Sequence, residues 1–213
     1  TCAYMVPGGV RFDLRSEDAL HLRASMDMLE KEITRYTGMF EHGPLIALRS
    51  RGIGILTRDA AREACAVGPT ARASGLPESD RRLHHPTYRK LGFTPISREE
   101  GDNFARIMMR FQEMLQSISL IRKCLDILPV GPIRGGGIPG AGEIAYSGEA
   151  PRGELSYFIR TDAAGRVIDI AIQTPSIMNI EACCHYLLTG VASMADVPST
   201  FVSSDPCIAC TER

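Results

Sequence analysis

Asp205-Pro206-Cys207-Ile208-Ala209-Cys210-Thr211-Glu212-Arg213 closes the chain, and its Cys-x-x-Cys pair decides how the rest is read. Two thiolates two residues apart can hold a soft transition metal but cannot surround it. They are half of a site, and spacing alone leaves three readings open. A redox-active dithiol usually opens a helix after a strand, whereas here the chain stops. A structural zinc site, as in a zinc-binding interaction module, needs two more ligands at a recognisable spacing, and none is present. The third reading is a half-site completed from elsewhere.

Composition narrows the setting. Over 213 residues, 24 basic and 25 acidic side chains leave a formal charge of -1, which gives no sign of a nucleic-acid partner. No apolar run reaches the length of a membrane span, and no stretch of residues 1–213 reads as a signal peptide. Thr1-Cys2-Ala3-Tyr4-Met5 enters mid-pattern, as expected of a piece of a longer chain. Seven cysteines, an odd number without secreted-type spacing, favour a reducing compartment. Cys65, Cys124 and the Cys183-Cys184 pair fall in apolar helical patterns and read as small core residues. His84-His85 lies in a polar loop, while His21, His42 and His185 have no ligand-spaced companion.

The pattern along the chain is mainly helical. Ser16, followed by Glu17 and Asp18, reads as a helix cap. Leu22, Met26, Leu29, Ile33, Tyr36 and Phe40 then draw one apolar stripe, stopped by Gly43-Pro44. Thr57 caps a short helix from Arg58 to Ala66, and Thr70-Ala71-Arg72-Ala73-Ser74-Gly75 reads as a loop. Ser97-Arg98-Glu99-Glu100 has the form of a capping box, opening a long helix whose apolar face runs to Pro129. Gly135 to Gly142 is a glycine-rich loop without the Gly-Lys-Ser/Thr ending of a phosphate cradle. Leu155–Ile159 and Val167–Ile172 form a hairpin, and Asn179 to Leu188 a short helix. The expected fold class is mainly α (α+β): a long-helix bundle with a small β-hairpin region, one domain over residues 1–213.

The flanks of the terminal pair go further. Asp205-Pro206-Cys207-Ile208-Ala209-Cys210 resembles the C-terminal signature of the large subunit of nickel–iron hydrogenases, Asp-Pro-Cys-x-x-Cys. Glu149-Ala150-Pro151-Arg152-Gly153-Glu154-Leu155 looks like the family's Glu-Ala-Pro-Arg-Gly segment. Thr174-Pro175-Ser176-Ile177-Met178-Asn179 looks like its Pro-Ser/Thr-x-x-Asn segment, and all three follow the family's order. Pro7-Gly8-Gly9-Val10-Arg11, Gly52-Ile53-Gly54 and Gly68 to Gly75 resemble the complex-I-related branch, the energy-converting and formate-hydrogenlyase-type hydrogenases.

The resemblance implies a hydrogenase large-subunit-like fold, of which this chain is a C-terminal portion. Cys207 would be a terminal thiolate on nickel, and Cys210 would bridge nickel and an iron carrying carbon monoxide and cyanide. Arg152 would stand over the open metal position with Asp205 as its anionic partner. Pro151, Arg152 and Ser176 would surround the cyanides. The implied reaction interconverts H2 with protons and electrons, the electrons passing to iron–sulfur clusters in a small partner subunit. Other partners would be membrane-complex subunits, at the cytoplasmic face of the inner membrane. The family's second Cys-x-x-Cys, near the N-terminus of the large subunit, has no counterpart here, since Cys2 stands alone. Arg213 replaces the histidine of many family members, a departure that fits the energy-converting branch. A different class of function is the related complex I subunit, a metal-free protein that helps form a quinone-binding cavity.

Overall fold

The structure, a computed structural model, describes residues 4–6, 8–128, 131–137 and 140–212. Cys2, Pro7, Pro129 and Arg213, which carry sequence readings, lie outside the described residues. A short ladder, β1 (Met5–Val6) with β2 (Gly9–Val10), leads into α1 (Ser16–His42). Arg15 rather than Ser16 holds the cap position, because Asp18 reaches back to the Arg15 amide and guanidinium. Gly43 ends α1 as expected, but the proline after it starts α2 (Pro44–Leu48), since proline at a first helical position forgoes no hydrogen bond.

The second long helix, α6, spans Asn103–Asp126 and begins later than the sequence suggested. Ser97 to Glu100 forms no capping box. Gly101 adopts a left-handed φ of 64° that interrupts any helix there, and Asp102 caps α6 instead by accepting from the Ala105 amide. α1 and α6 run antiparallel. Phe40 meets Phe111 at 5.4 Å between ring centroids, while Arg23 pairs with Asp126 near the opposite ends. Arg122 on α6 adds pairs to Asp27 and Glu30, both exposed and therefore worth little individually.

Between the long helices lie α3 (Arg58–Glu63), α4 (Gly68–Arg72) and α5 (Pro86–Lys90). Thr57 caps α3 as expected, its hydroxyl accepting from the Ala60 amide. The loop expected over residues 70–75 is half helix: Thr70, Ala71 and Arg72 belong to α4, every residue of which is buried, and a turn follows over residues 73–75. Its small side chains let it enter the core beside Leu56, Ala61, Ala64, Ala66 and Leu76. Cys183 joins that core, but Cys65 and Cys184 are exposed, contrary to the sequence reading. Cys65 sits beyond the end of α3 at a φ of 50°, outside the helix that would have buried it.

The expected hairpin is present as β4 (Gly153–Thr161) and β5 (Val167–Gln173). A third strand, β3 (Gly142–Ala150), pairs antiparallel on the other side of β4, Tyr146 opposite Tyr157 and Ala150 opposite Gly153. α7 (Pro175–Ala182) continues into a π-helical turn over Cys183–Leu187, and α8 (Val197–Ser203) delivers the tail. Helices dominate and the sheet is small, as the sequence indicated, and no helix among the described residues is long and apolar enough to cross a membrane.

Candidate functional site

Three sequence segments far apart in the chain meet at the C-terminal tail. The first is the tight β3–β4 connection, Ala150-Pro151-Arg152-Gly153, in which Pro151 is exposed and Arg152 half-buried. It is held by backbone-to-backbone packing against the start of α4. A Cβ on Gly68 would lie 2.2 Å from the Arg152 carbonyl oxygen, and one on Gly153 would lie 2.7 Å from the Gly68 nitrogen. Asn179 of α7 ties the contact together. Its carbonyl accepts from the Val67 amide at 3.0 Å, and its amide group donates to the Val67 and Arg152 carbonyls. Gly68 also needs a φ of 66°. Gly68→Ala is therefore expected to destabilise the chain by roughly 3 kcal/mol or more. Urea denaturation of the variant checks this.

The second segment is the turn at Asp205, whose φ of 54° is left-handed, a conformation that aspartate tolerates better than most side chains. Arg152 grips this residue twice. Its Nε donates to the Asp205 carbonyl oxygen at 2.9 Å and one terminal nitrogen to the carboxylate at 3.1 Å. Arg110 of α6 approaches the other carboxylate oxygen at 3.8 Å and donates to the Arg106 carbonyl. Burial pushes the Arg110 guanidinium down while Asp205 opposes that shift. One turn earlier, Arg106 is fully buried and donates to the carbonyls of Gly101 and Gly54, to Asn103 and to Ser203 of α8. Burial brings it down to about 9, so it remains a cation at neutral pH and fixes α8 behind the tail.

The third segment is the N-terminal end of α7. Ser176, buried, accepts from the Cys207 amide at 3.0 Å, and Thr174 donates to the Cys210 carbonyl at 2.8 Å. The tail makes one helical turn, Cys210 N–H to the Cys207 carbonyl at 3.0 Å, which sets the two thiols side by side. Hydrogen bonds from the Cys210 side chain and amide hold the Cys207 thiol below its ordinary range. Arg152 pulls the same way, whereas burial and Asp205 oppose. A thiol so placed gives up its proton more readily, which suits a metal ligand or a base.

Arg152, Asp205, Ser176, Cys207 and Cys210 thus come together, while Pro151 contributes only the turn beside Arg152. Sequence reasoning missed Arg110, Thr174 and Asn179. Each is a lone polar residue outside a recognisable constellation, except that Thr174 and Asn179 bound the segment already singled out around Ser176. Among the described residues, no group of three or more His, Cys, Asp or Glu could enclose a metal ion. The donor set is two thiols. That fits half of a nickel–iron centre and falls short of a complete zinc site.

Comparison with known proteins decides the family. The model described as the 49 Kd subunit of respiratory-chain NADH dehydrogenase matches residues 1–137 and 133–213. The chain belongs to this 49 kDa subunit family. Among the family's relatives, the carbon monoxide-induced hydrogenase of Rhodospirillum rubrum is 37% identical over 99% of this chain. A subunit of the F(420)H(2) dehydrogenase of Methanosarcina mazei is 33% identical over the whole chain. A subunit of the NADH-quinone oxidoreductase of Deinococcus radiodurans is 29% identical over 99% of it. Each match spans 59% of the relative's own length. A chain in the solved membrane-bound sulfane sulfur reductase, an archaeal respiratory membrane complex, superposes with a TM-score of 0.86 at 26% identity, over 99% of this chain and 59% of that one. These relatives are oxidoreductase subunits, and the 49 kDa family supplies the fold that the tail motif suggested.

Proposed function

We propose that this member of the 49 kDa family is the thiolate-bearing part of a hydrogenase catalytic subunit, with Cys207 and Cys210 as two ligands of a nickel–iron centre. The supporting observation is the bracketed pair itself: two adjacent thiols, one of lowered pKa, beside a paired guanidinium. When bound, the metals would supply the Lewis acidity and electron-accepting capacity needed to split dihydrogen. Cys207 Sγ is the group placed to hold a proton. Arg152 keeps a fixed positive charge facing it, and Asp205 makes that charge less costly to hold in a half-buried position. Ser176 fixes the loop that carries Cys207. The remaining ligands, an iron–sulfur small subunit as electron partner and attachment at the cytoplasmic face of a membrane complex belong to the same proposal.

A second reading is favoured by a specific finding. The family model is that of an NADH dehydrogenase subunit, and several relatives are named as NADH-quinone oxidoreductase subunits. On this reading the chain is a metal-free subunit that helps form a quinone-binding cavity, and the paired thiols have no ligand role. The two are separated by Arg152→Lys in the intact complex. A lysine keeps the charge but loses the two-point grip on Asp205. The hydrogenase reading expects retained metals with dihydrogen turnover reduced about 100-fold. Unchanged turnover would remove Arg152 from the mechanism, and quinone-dependent activity without any dihydrogen activity would favour the second reading.

A further inference from the structure

Thr174 breaks a local rule. It holds the cap position of α7, where a threonine hydroxyl ordinarily accepts from an amide of the first helical turn, yet it makes no such bond. The hydroxyl, on a residue 6% exposed, is turned the other way and donates to the Cys210 carbonyl 36 residues on. Two residues later, Ser176 accepts from the Cys207 amide. The two hydroxyls therefore clasp the tail at both cysteines, one through a carbonyl and one through an amide, with the single helical turn between them. Local departures from a capping preference are expected where a site needs the side chain elsewhere.

We propose that Thr174 is a positioning residue: with Ser176 it fixes the separation and direction of the Cys207 and Cys210 thiols before any metal arrives. The role rests on reading the two thiols as a metal half-site. Without the Thr174 bond the Cys210 end of the turn loses an anchor to the start of α7, and the two thiols sample wider separations. Preorganised ligands bind metal more tightly because less order has to be imposed on binding. Thr174→Val removes the hydroxyl at nearly constant volume and leaves the helix cap unaffected, since the side chain does not cap. Thr174→Ser keeps the donor.

The test uses the full-length subunit prepared without metal, with Co2+ as the probe and its thiolate charge-transfer absorption as the readout. Thr174→Val is expected to weaken Co2+ binding about fivefold, the scale of one net hydrogen bond. Hydrogen exchange over residues 207–211 should rise and the melting temperature should stay near wild type. Thr174→Ser should restore both affinity and protection. A Thr174→Val protein with wild-type affinity and wild-type exchange overturns the role. Cys210→Ser serves as the control for the reading beneath it. Should that variant leave the cobalt band unchanged, the half-site reading fails, and the exchange comparison then decides by itself whether Thr174 holds the tail.

Discussion

Arg72→Met is expected to cost about 3–5 kcal/mol of folding stability, enough to unfold much of a marginally stable chain. Arg72 is 1% exposed and sits at the end of α4, surrounded by carboxylates. It donates to Glu113 of α6 and to Glu149 of β3, both at 2.7 Å, and lies 3.4 Å from Asp80. Burial opposes its charge, but Glu113, Glu149 and Asp80 outweigh that and hold the guanidinium above its ordinary value. Arg82 would still serve Asp80 and Glu113 after the substitution. Glu149 would keep only the Arg81 amide, and burial already pushes its carboxyl up against the pull of Arg72. The penalty is therefore that of a stranded buried carboxylate. Adding Glu149→Gln should recover part of it, and urea denaturation of the two single variants and the double variant measures the coupling. A loss below about 1 kcal/mol for Arg72→Met would contradict this account of the network.

The position of Arg72 matters to the site as well as to stability. Through Glu149 it anchors the end of β3, three residues before Arg152, and through Glu113 it anchors the helix that presents Arg110. The candidate site is thus built on a cross-linked interior of charges, while the apolar core lies beside α3, α4 and α7.

The second large effect is expected at the tail. On the nickel–iron reading, Cys210→Ser should reduce metal retention by about 100-fold or more, because a hydroxyl would replace a thiolate ligand, a larger change than loss of a supporting group. Cys184→Ser, at an exposed cysteine outside the site, should retain metal as wild type does. Nickel content of the purified complexes, measured by mass spectrometry, checks both. Equal nickel in wild type and Cys210→Ser would dismiss Cys210 as a ligand.

Much of the site is legible in the sequence because its residues come in short local runs. The spacing of Cys207 and Cys210 marks a ligand pair by itself, whereas Pro151, Arg152 and Ser176 are singled out only because their segments resemble those of the hydrogenase family. What escaped depends on contacts across the chain. The Thr70–Gly75 stretch has the small residues and arginine of a loop, and the partners of Arg72, 41 and 77 residues away, help bury its first half as the end of α4. The start of α6 was misplaced because Ser97-Arg98-Glu99-Glu100 has the right residue types. A left-handed Gly101 and the Asp102 cap then override it. β3 was missed because its alternation, Ile144, Tyr146 and then Gly148, is short and follows a glycine-rich run. Its pairing with β4 supplies the order that its own residues do not announce. Arg110 and Thr174 illustrate the same limit at the site: each acts through one long-range hydrogen bond or ion pair, which leaves no pattern in a single sequence.

The central claim is that Cys207 and Cys210 are metal ligands in a member of the 49 kDa family. The most direct measurement is the nickel content of the intact complex purified from its source without chelators. Nickel in a ratio of about one per chain, lost in Cys210→Ser, is the result predicted from the paired thiols. An intact, active complex that contains no nickel would contradict the claim and leave the metal-free quinone-cavity reading in its place.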